Sequence, residues 1–580
     1  MRCINSRNVG RLICFQAIAL CLSWAVAGAA EFRRLSLEDY RDKMAGGWIG
    51  QMAGVGWGGP TEFKWKGQII PEDKIPQWQP KMINQFHQDD IYVEMTFLRT
   101  LEVHGWDVSI RQAGIDFANS GYPLWHANRA GRDNLRKGIA PPDSGHPKFN
   151  NHADDIDYQI EADYAGLIAP GMPNVAVRLG ETFGRLMNYG DGLYGGQFVG
   201  GMYAEAFFEK DMVRIAQAAL KCIPADSQYA EMVRDVLQWY AAEGDDWQKT
   251  WQLIEKKYHA DPKYTHGVCS KPGGKGGSSI DAKLNGAYIL MGLLYGKGDP
   301  DRTIVISTRC GQDSVCYPSI AGGVLFTTIG FDKLPERFTA EINPEGRFSH
   351  TPYTFPKLIE VSEKLVRQAV AAEGGRIEKD AAGQEVFVIP VKPVRLGKLE
   401  QSRQPGPIAD SRFTEEEMAK IKPPAPGRRG GATGQSAGKA DISKAVEAFA
   451  PGWKVADCGN DMDPGLRAEW GGRKNVLVTH PMSTAKPCVL SRTVDLPAGQ
   501  PKLVLDVAPD PRGDWTLVVK ADGKELLKKK IDQAAAKDGW ASVAVDLSAC
   551  AGRSVRLEVQ NVADNWSWEA GHFSKIAIEE

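Results

Sequence analysis

Among 580 residues there is no Cys-x-x-Cys pair and no glycine-lysine P-loop, which removes a structural zinc ribbon and a phosphate-cradling NTPase. Nothing offers the strand-to-helix nucleophile elbow that serine hydrolases carry. Charge of one sign is missing too. The 70 basic residues face 72 acidic ones, and a net charge of −2 is too balanced for a nucleic-acid or anionic-membrane partner. After the first thirty residues no apolar run is long enough to span a bilayer.

What is present begins with an export signal, residues 1–30. Arg2, Arg7 and Arg11 form a basic start and Leu12 to Trp24 an apolar stretch. Ala25-Val26-Ala27 or Ala27-Gly28-Ala29 supplies a small-residue cleavage site. Its removal takes away three arginines and no acid, which shifts the net charge to −5. A secreted or periplasmic protein without a membrane anchor is expected. Of ten cysteines, Cys222, Cys269, Cys310, Cys316, Cys458, Cys488 and Cys550 survive cleavage, an odd number that cannot pair fully within one chain. Cys458 and Cys488 suit a bridge.

Residues 31–400 read as all-α. Ile156, Ile160, Tyr164, Leu167 and Ile168 recur at helical spacing, and similar patterns run through Val199 to Phe208 and Ala282 to Leu294. Val386 to Val391 suggests one short strand at the exit. From 401 to 447 proline, glycine and basic residues dominate, which predicts a linker. From 448 to 580 the apolar period becomes two, as in Leu503, Leu505 and Val507 or Val555, Leu557 and Val559, and Asp522-Gly523 marks a hairpin. The fold class expected is therefore multidomain: an all-α domain, a linker and an antiparallel β-sandwich. In pattern the tail resembles galactose-binding-like, carbohydrate-binding modules. Trp566 and Trp568 suit either sugar stacking or core packing.

Four acidic clusters carry the chemistry: Gln88-Asp89-Asp90, Asp154-Asp155-Ile156-Asp157 with Glu161, Gly190-Asp191-Gly192, and Gly311-Gln312-Asp313-Ser314. If Asp90 opens a helix, Glu94 lies one turn on and Asp89 projects from the cap. Asp157 and Glu161 repeat that spacing. Carboxylates beside apolar helical patterns are costly to bury, and gathered together they hold a hard cation or act on a glycosidic bond. Gly190 to Gly195 matches a dinucleotide fingerprint formally. Val175 to Met187 before it reads as a helix, not a strand, so that reading fails.

Gly46-Gly47-Trp48-Ile49-Gly50 through Pro60-Thr61-Glu62, Gln88-Asp89-Asp90, Gly190 to Gly196, Met202 to Phe208 and Arg309 to Ser314 occur in the order of the ADP-ribosylglycohydrolase motifs. Over about 35–335 the chain resembles that family. The resemblance implies an all-α domain with two magnesium ions in a cleft. Asp89, Asp90 and Asp313 would be ligands, and Glu62 the acidic residue beside the metals; Gln88 replaces the family's usual threonine and can still offer the metal an amide oxygen. Val315 stands where the late motif has its second aspartate, and valine cannot ligate. One magnesium ion is therefore expected rather than two, with calcium a second choice.

The expected activity is a glycosidase acting on a glycan or glycoside, with Glu62, Asp89 and Asp155 catalytic. Asp157, Glu161, Asp191, Tyr194 and His266 are expected at the substrate. Metal-dependent ADP-ribosyl hydrolysis and an inactive glycan-binding protein are the alternatives.

Overall fold

The computed structural model describes residues 31–265, 280–422, 442–459, 462, 464–511, 513–564 and 568–580. The export signal, His266 and Trp566 lie outside them. The segments that matter to the site are α1 (Leu37–Gly58), α2 (Asp89–His104), α3 (Ile110–Ala118), α4 (His126–Arg136), α5 (Pro173–Phe183), α6 (Asp191–Ala206), α7 (Gln228–Glu243), α8 (Ala282–Gly296), α9 (Pro300–Arg309), α10 (Cys316–Ile329) and α11 (Phe355–Ala372).

Helices α1 and α10 are the buried pair at the centre. Gly46, Gly50, Gly54 and Gly58 recur every fourth residue and so line one face of α1. A Cβ on Gly50 would meet the Gly322 carbonyl oxygen at 2.3 Å, one on Gly54 the Pro318 oxygen at 2.2 Å, and one on Gly58 the Ser314 oxygen at 2.0 Å. Glycine at these positions lets two backbones touch, which delivers the start of α10 beside the end of α1. Ala321-Gly322-Gly323 lies in the middle of α10.

Two expectations about local structure need correction. Ile156 to Ile168 is not one helix but two short ones, Asp157–Ile160 and Asp163–Leu167, interrupted at Glu161-Ala162. The apolar spacing persists because both pieces bury all their residues. Also, Glu385–Pro390 is the middle strand of a three-stranded antiparallel sheet, between Phe32–Ser36 and Arg376–Lys379. The two outer strands are too polar to show a strand period.

Residues 401–422, expected to begin the linker, run along the helical domain. Asp143 accepts from the Ala409 and Ser411 amides at 2.8 Å each, and Phe413, Met418 and Ile421 pack on the helical core. Residues 423–441 of the same stretch lie outside the described residues. The helix Ile442–Phe449 then follows, with Ala445 and Val446 buried in a second core.

That second core lies between two five-stranded antiparallel sheets, which form the C-terminal β-sandwich. One orders Lys524–Ile531, Trp515–Ala521, Ser554–Val562, Cys488–Asp495 and Lys454–Ala456. The other orders Ala541–Asp546, Lys502–Pro509, Gly571–Glu579, Arg473–Thr479 and Gly465–Trp470. Asp522 and Gly523, both at positive φ, make the tight turn between the first two strands. Cys458 and Cys488 face each other as hydrogen-bonded free thiols. No described helix is long and apolar enough to cross a membrane.

Candidate active site

Loop Thr61–Gln68 is pinned to the late acidic motif. The Phe63 amide donates to the Gln312 carbonyl at 2.9 Å, the Gln312 amide donates to Trp65 at 2.8 Å, and the Thr61 and Ser314 hydroxyls meet at 2.8 Å. Gly311 is at φ +83°, where a Cβ would strike the Trp65 and Gln68 carbonyl oxygens at 2.4 and 2.3 Å. These contacts hold Glu62, at the end of a 3-10 turn, where its charge acts on Asp90 and Cys316.

Gln88, not Asp89, caps α2: its side-chain oxygen accepts the Asp89 amide at 2.9 Å. Asp89 and Asp90 are thus the first two helical residues, Asp89 half-buried and Asp90 fully buried. Opposite them, the start of α4 grips the middle cluster. The Ala127 amide donates to Asp155 Oδ2 at 2.9 Å and the Asn128 amide to Asp157 Oδ2, while the Asn128 side chain donates to Glu161.

These groups repel one another in a dry place. Burial raises Asp90 well above the usual carboxylate range, and Asp89, Asp313 and Glu62 add to the shift. Burial also raises Asp157 and Glu161, with Asp155 acting on the first, Asp157 on the second and Asp89 on both. Asp89 is raised by burial, and Asp313 is pushed up to about 7 by burial opposed by its hydrogen bonds. Asp89, Asp90, Asp157, Glu161 and Asp313 therefore act as one electrostatic unit, with the Glu62 charge adding to the field at Asp90, and burial and mutual repulsion oppose full ionisation of the set at neutral pH. Asp155 borders it, pushed up to about 8 by burial, and its oxygens accept from the Ala127, Asp157 and Asn188 N–H groups.

Two predicted residues sit elsewhere. Asp191 accepts the Tyr229 amide at 2.9 Å and lies 3.9 Å from the buried Lys283 ammonium, which also pairs with Asp281 at 3.0 Å. Lysine at that depth needs both carboxylates, so Asp191 has a structural task. Tyr194 accepts the Glu400 amide at 2.7 Å, so its hydroxyl anchors the chain beyond the helices. His266 lies outside the described residues.

The paired-magnesium centre is not matched by the donors here. Gln88 spends its oxygen on the helix cap, and Val315 is apolar and buried. The Cys316 thiol donates to Asp313 Oδ1 at 3.2 Å and also faces Asp90. One feature suits a single ion, since Asp90 Oδ1 is buried without a hydrogen-bond partner.

Sequence reasoning missed Asn128, Cys316, His126 and His152. Among the described residues, one trio of His, Cys, Asp or Glu has ligand atoms all within 4.8 Å of one another: His126, His152 and Asp155. The two imidazoles lie edge to face at 5.3 Å, and burial lowers both, His126 to about 4. The His-x-x-Asp spacing of His152 and Asp155 was the available signal.

A family model described as ADP-ribosylglycohydrolase matches residues 36–373. Among solved structures, an "ADP-ribosylglycohydrolase-related protein complex" is 13% identical, with a TM-score of 0.36, over 57% of this chain and 100% of that one. The Stig cyclase Fisc from Fischerella sp. TAU is 12% identical, with a TM-score of 0.18, over 22% of this chain and 85% of its own. A further cyclase from Fischerella sp. TAU is 13% identical, with a TM-score of 0.16, over 22% and 72%. At these scores the structural likenesses carry no argument. No curated protein matches the chain.

Proposed function

The chain belongs to the ADP-ribosylglycohydrolase family, and from that premise we propose that it is an exported hydrolase that cleaves a glycosidic bond of a glycan or glycoside in the carboxylate cleft. The family supports a hydrolase acting on glycosyl or ADP-ribosyl substrates. The observation that carries the reading is the cluster of buried carboxyls whose full ionisation is opposed. Such a group keeps a protonated carboxyl beside an ionised one at neutral pH, which is the requirement of acid–base glycoside cleavage.

Glu62 and Asp89 are the members that stay half-buried, while Asp90 and Asp313 are closed off. A group that meets substrate must be reachable, so Asp89 is assigned as the acid that protonates the leaving oxygen. Glu62 is assigned as the base that activates water at the anomeric carbon. Asp90 and Asp313 hold the proton count of the cleft. Asp157 and Glu161, fixed by Asn128, are placed at the sugar hydroxyls. Asp155, with three N–H donors on its oxygens, fits a positioning or ligand role better than a free acid.

A second reading, a single magnesium ion on Asp89, Asp90 and Asp313 of an ADP-ribosyl hydrolase, is favoured by the unpartnered Asp90 oxygen. A bound ion would supply positive charge to the leaving group. The β-sandwich is proposed as a carbohydrate-facing module. The test is an assay of aryl glycosides and ADP-ribosyl-arginine with and without chelator, using wild type, Asp89→Asn and Glu62→Gln. Glycoside turnover that survives chelation and is lost in both variants is expected. Turnover confined to the ADP-ribosyl substrate and abolished by chelation would favour the second reading.

A further inference from the structure

We propose that His126, His152 and Asp155 form a binding site for one divalent transition-metal ion, zinc in the first place, at the edge of the carboxylate cleft. The donors come from two segments that the fold holds together. His126 is the first residue of α4, and His152 and Asp155 lie on the turn leading into the helix Asp157–Ile160. Their ligand atoms already lie within 4.8 Å of one another. A tetrahedral shell with bonds of about 2.0–2.1 Å would bring them to about 3.3 Å apart, a contraction that side-chain rotation can supply.

The groups behind these donors are the kind that orient metal ligands. Asp155 Oδ2 accepts the Ala127 amide at 2.9 Å, and Oδ1 accepts the Asp157 amide at 3.1 Å and Asn188 Nδ2 at 3.3 Å. Asn188 is itself fixed, donating to the Ala153 and Asp155 carbonyls at 3.0 Å each and accepting the Tyr158 amide at 2.9 Å. A carboxylate held this way presents a set lone-pair direction, as outer-shell partners do in metal sites. The backbone of His126 adopts φ +40°, a conformation β-carbon-bearing residues rarely take, and it starts the helix whose next two amides bind the Asp155–Asp157 turn.

The donor chemistry selects the ion. Two imidazoles and one carboxylate suit zinc, iron(II) or manganese(II), whereas magnesium and calcium take oxygen donors. Three protein ligands leave a position open, and both histidines are half-buried rather than sealed, so an ion and a water have an entry path. This site differs in place and ligand type from the carboxylate set of Asp89, Asp90 and Asp313, and it stands whether or not the glycosidase reading does.

The test uses the full chain, stripped with dipicolinate and titrated with ZnCl2 by calorimetry, with CoCl2 as a spectroscopic probe. Wild type should bind one equivalent, with the visible absorption of four- or five-coordinate cobalt. His126→Gln and His152→Asn, each checked for an unchanged melting curve, should weaken zinc binding at least about 100-fold and abolish the cobalt bands, in line with loss of a ligand. Asp313→Asn should leave both signals in place. Wild type that binds less than a tenth of an equivalent would overturn the proposal. So would histidine variants that bind like wild type, or binding lost in Asp313→Asn but kept in His152→Asn.

Discussion

The thiol of Cys316 donates a hydrogen bond to Oδ1 of Asp313 across 3.2 Å, at the point where α10 begins. A cysteine among carboxyls invites the idea of a reactive nucleophile. The surroundings say otherwise: burial and the negative field of Asp313, Asp90, Asp89 and Glu62 push its pKa well above the ordinary thiol value. Thiolate is the reactive form, so Cys316 should resist alkylation. Iodoacetamide at about pH 8 should leave it unmodified in the folded protein and label it after denaturation, as peptide mass spectrometry would read. Fast labelling in the native state would contradict the described burial of Cys316 among these carboxyls.

Asn128 joins Asp157 and Glu161 through its amide and its side chain. Asn128→Ala leaves Glu161 buried with one oxygen already unpartnered. The cost should be about 1–3 kcal/mol, the penalty for an unsatisfied buried polar group. Urea denaturation would measure it, and a variant as stable as wild type would show that the pair is not needed to hold Glu161.

Gly54→Ala tests whether the central helix pair sets the site. The added carbon would lie 2.2 Å from the Pro318 carbonyl oxygen, which is backbone and cannot step aside cheaply. A loss of about 1–3 kcal/mol or more is expected, with a lowered melting temperature. Gly374→Ala, at φ +76° with open space at its Cβ, carries backbone strain without crowding, whereas helical Gly54→Ala carries crowding without that strain: Gly374→Ala should cost less. Equal losses would mean that close approach of α1 and α10 is not what Gly54 provides.

Much of this was legible in the residues. The motif from Gly46 to Glu62, the acidic motifs and the switch to period two after residue 448 each reflect a strong local constraint, and they located the helical domain and the sandwich. Other features depended on tertiary partners. Asp191 looks like Asp89 in sequence, and only the buried Lys283 ammonium beside it reveals a structural task. Residues 401–422 have the composition of a linker but are held by Asp143, whose two oxygens take amides that no periodicity announces. His126 and His152 lie 26 positions apart, and nothing in either segment alone says that they meet.

The core beneath the cleft should make stability depend on pH. Gln51 Nε2 donates to Glu94 and, at 2.8 Å, to Asp163 Oδ2. Burial and then Asp163 raise Glu94 well above its usual range, and burial pushes Asp163 up to about 7. With folded values raised, the native state holds protons that the unfolded chain releases above about pH 4. Their contribution is complete below that pH and declines as pH rises towards 7. The melting temperature should therefore fall between about pH 5 and pH 8, less steeply in Asp163→Asn. An identical slope in the variant would remove these two groups as the cause.

The most direct test of the central claim is the rate of hydrolysis of a panel of aryl glycosides and ADP-ribosyl-arginine by wild type, Asp89→Asn and Glu62→Gln. A general acid or base contributes about 10²–10⁴-fold, so each variant should lose at least about 100-fold in kcat on the substrate that wild type turns over, with its melting temperature kept. Rates within a few-fold of wild type in both variants would contradict a hydrolytic centre built on these carboxyls.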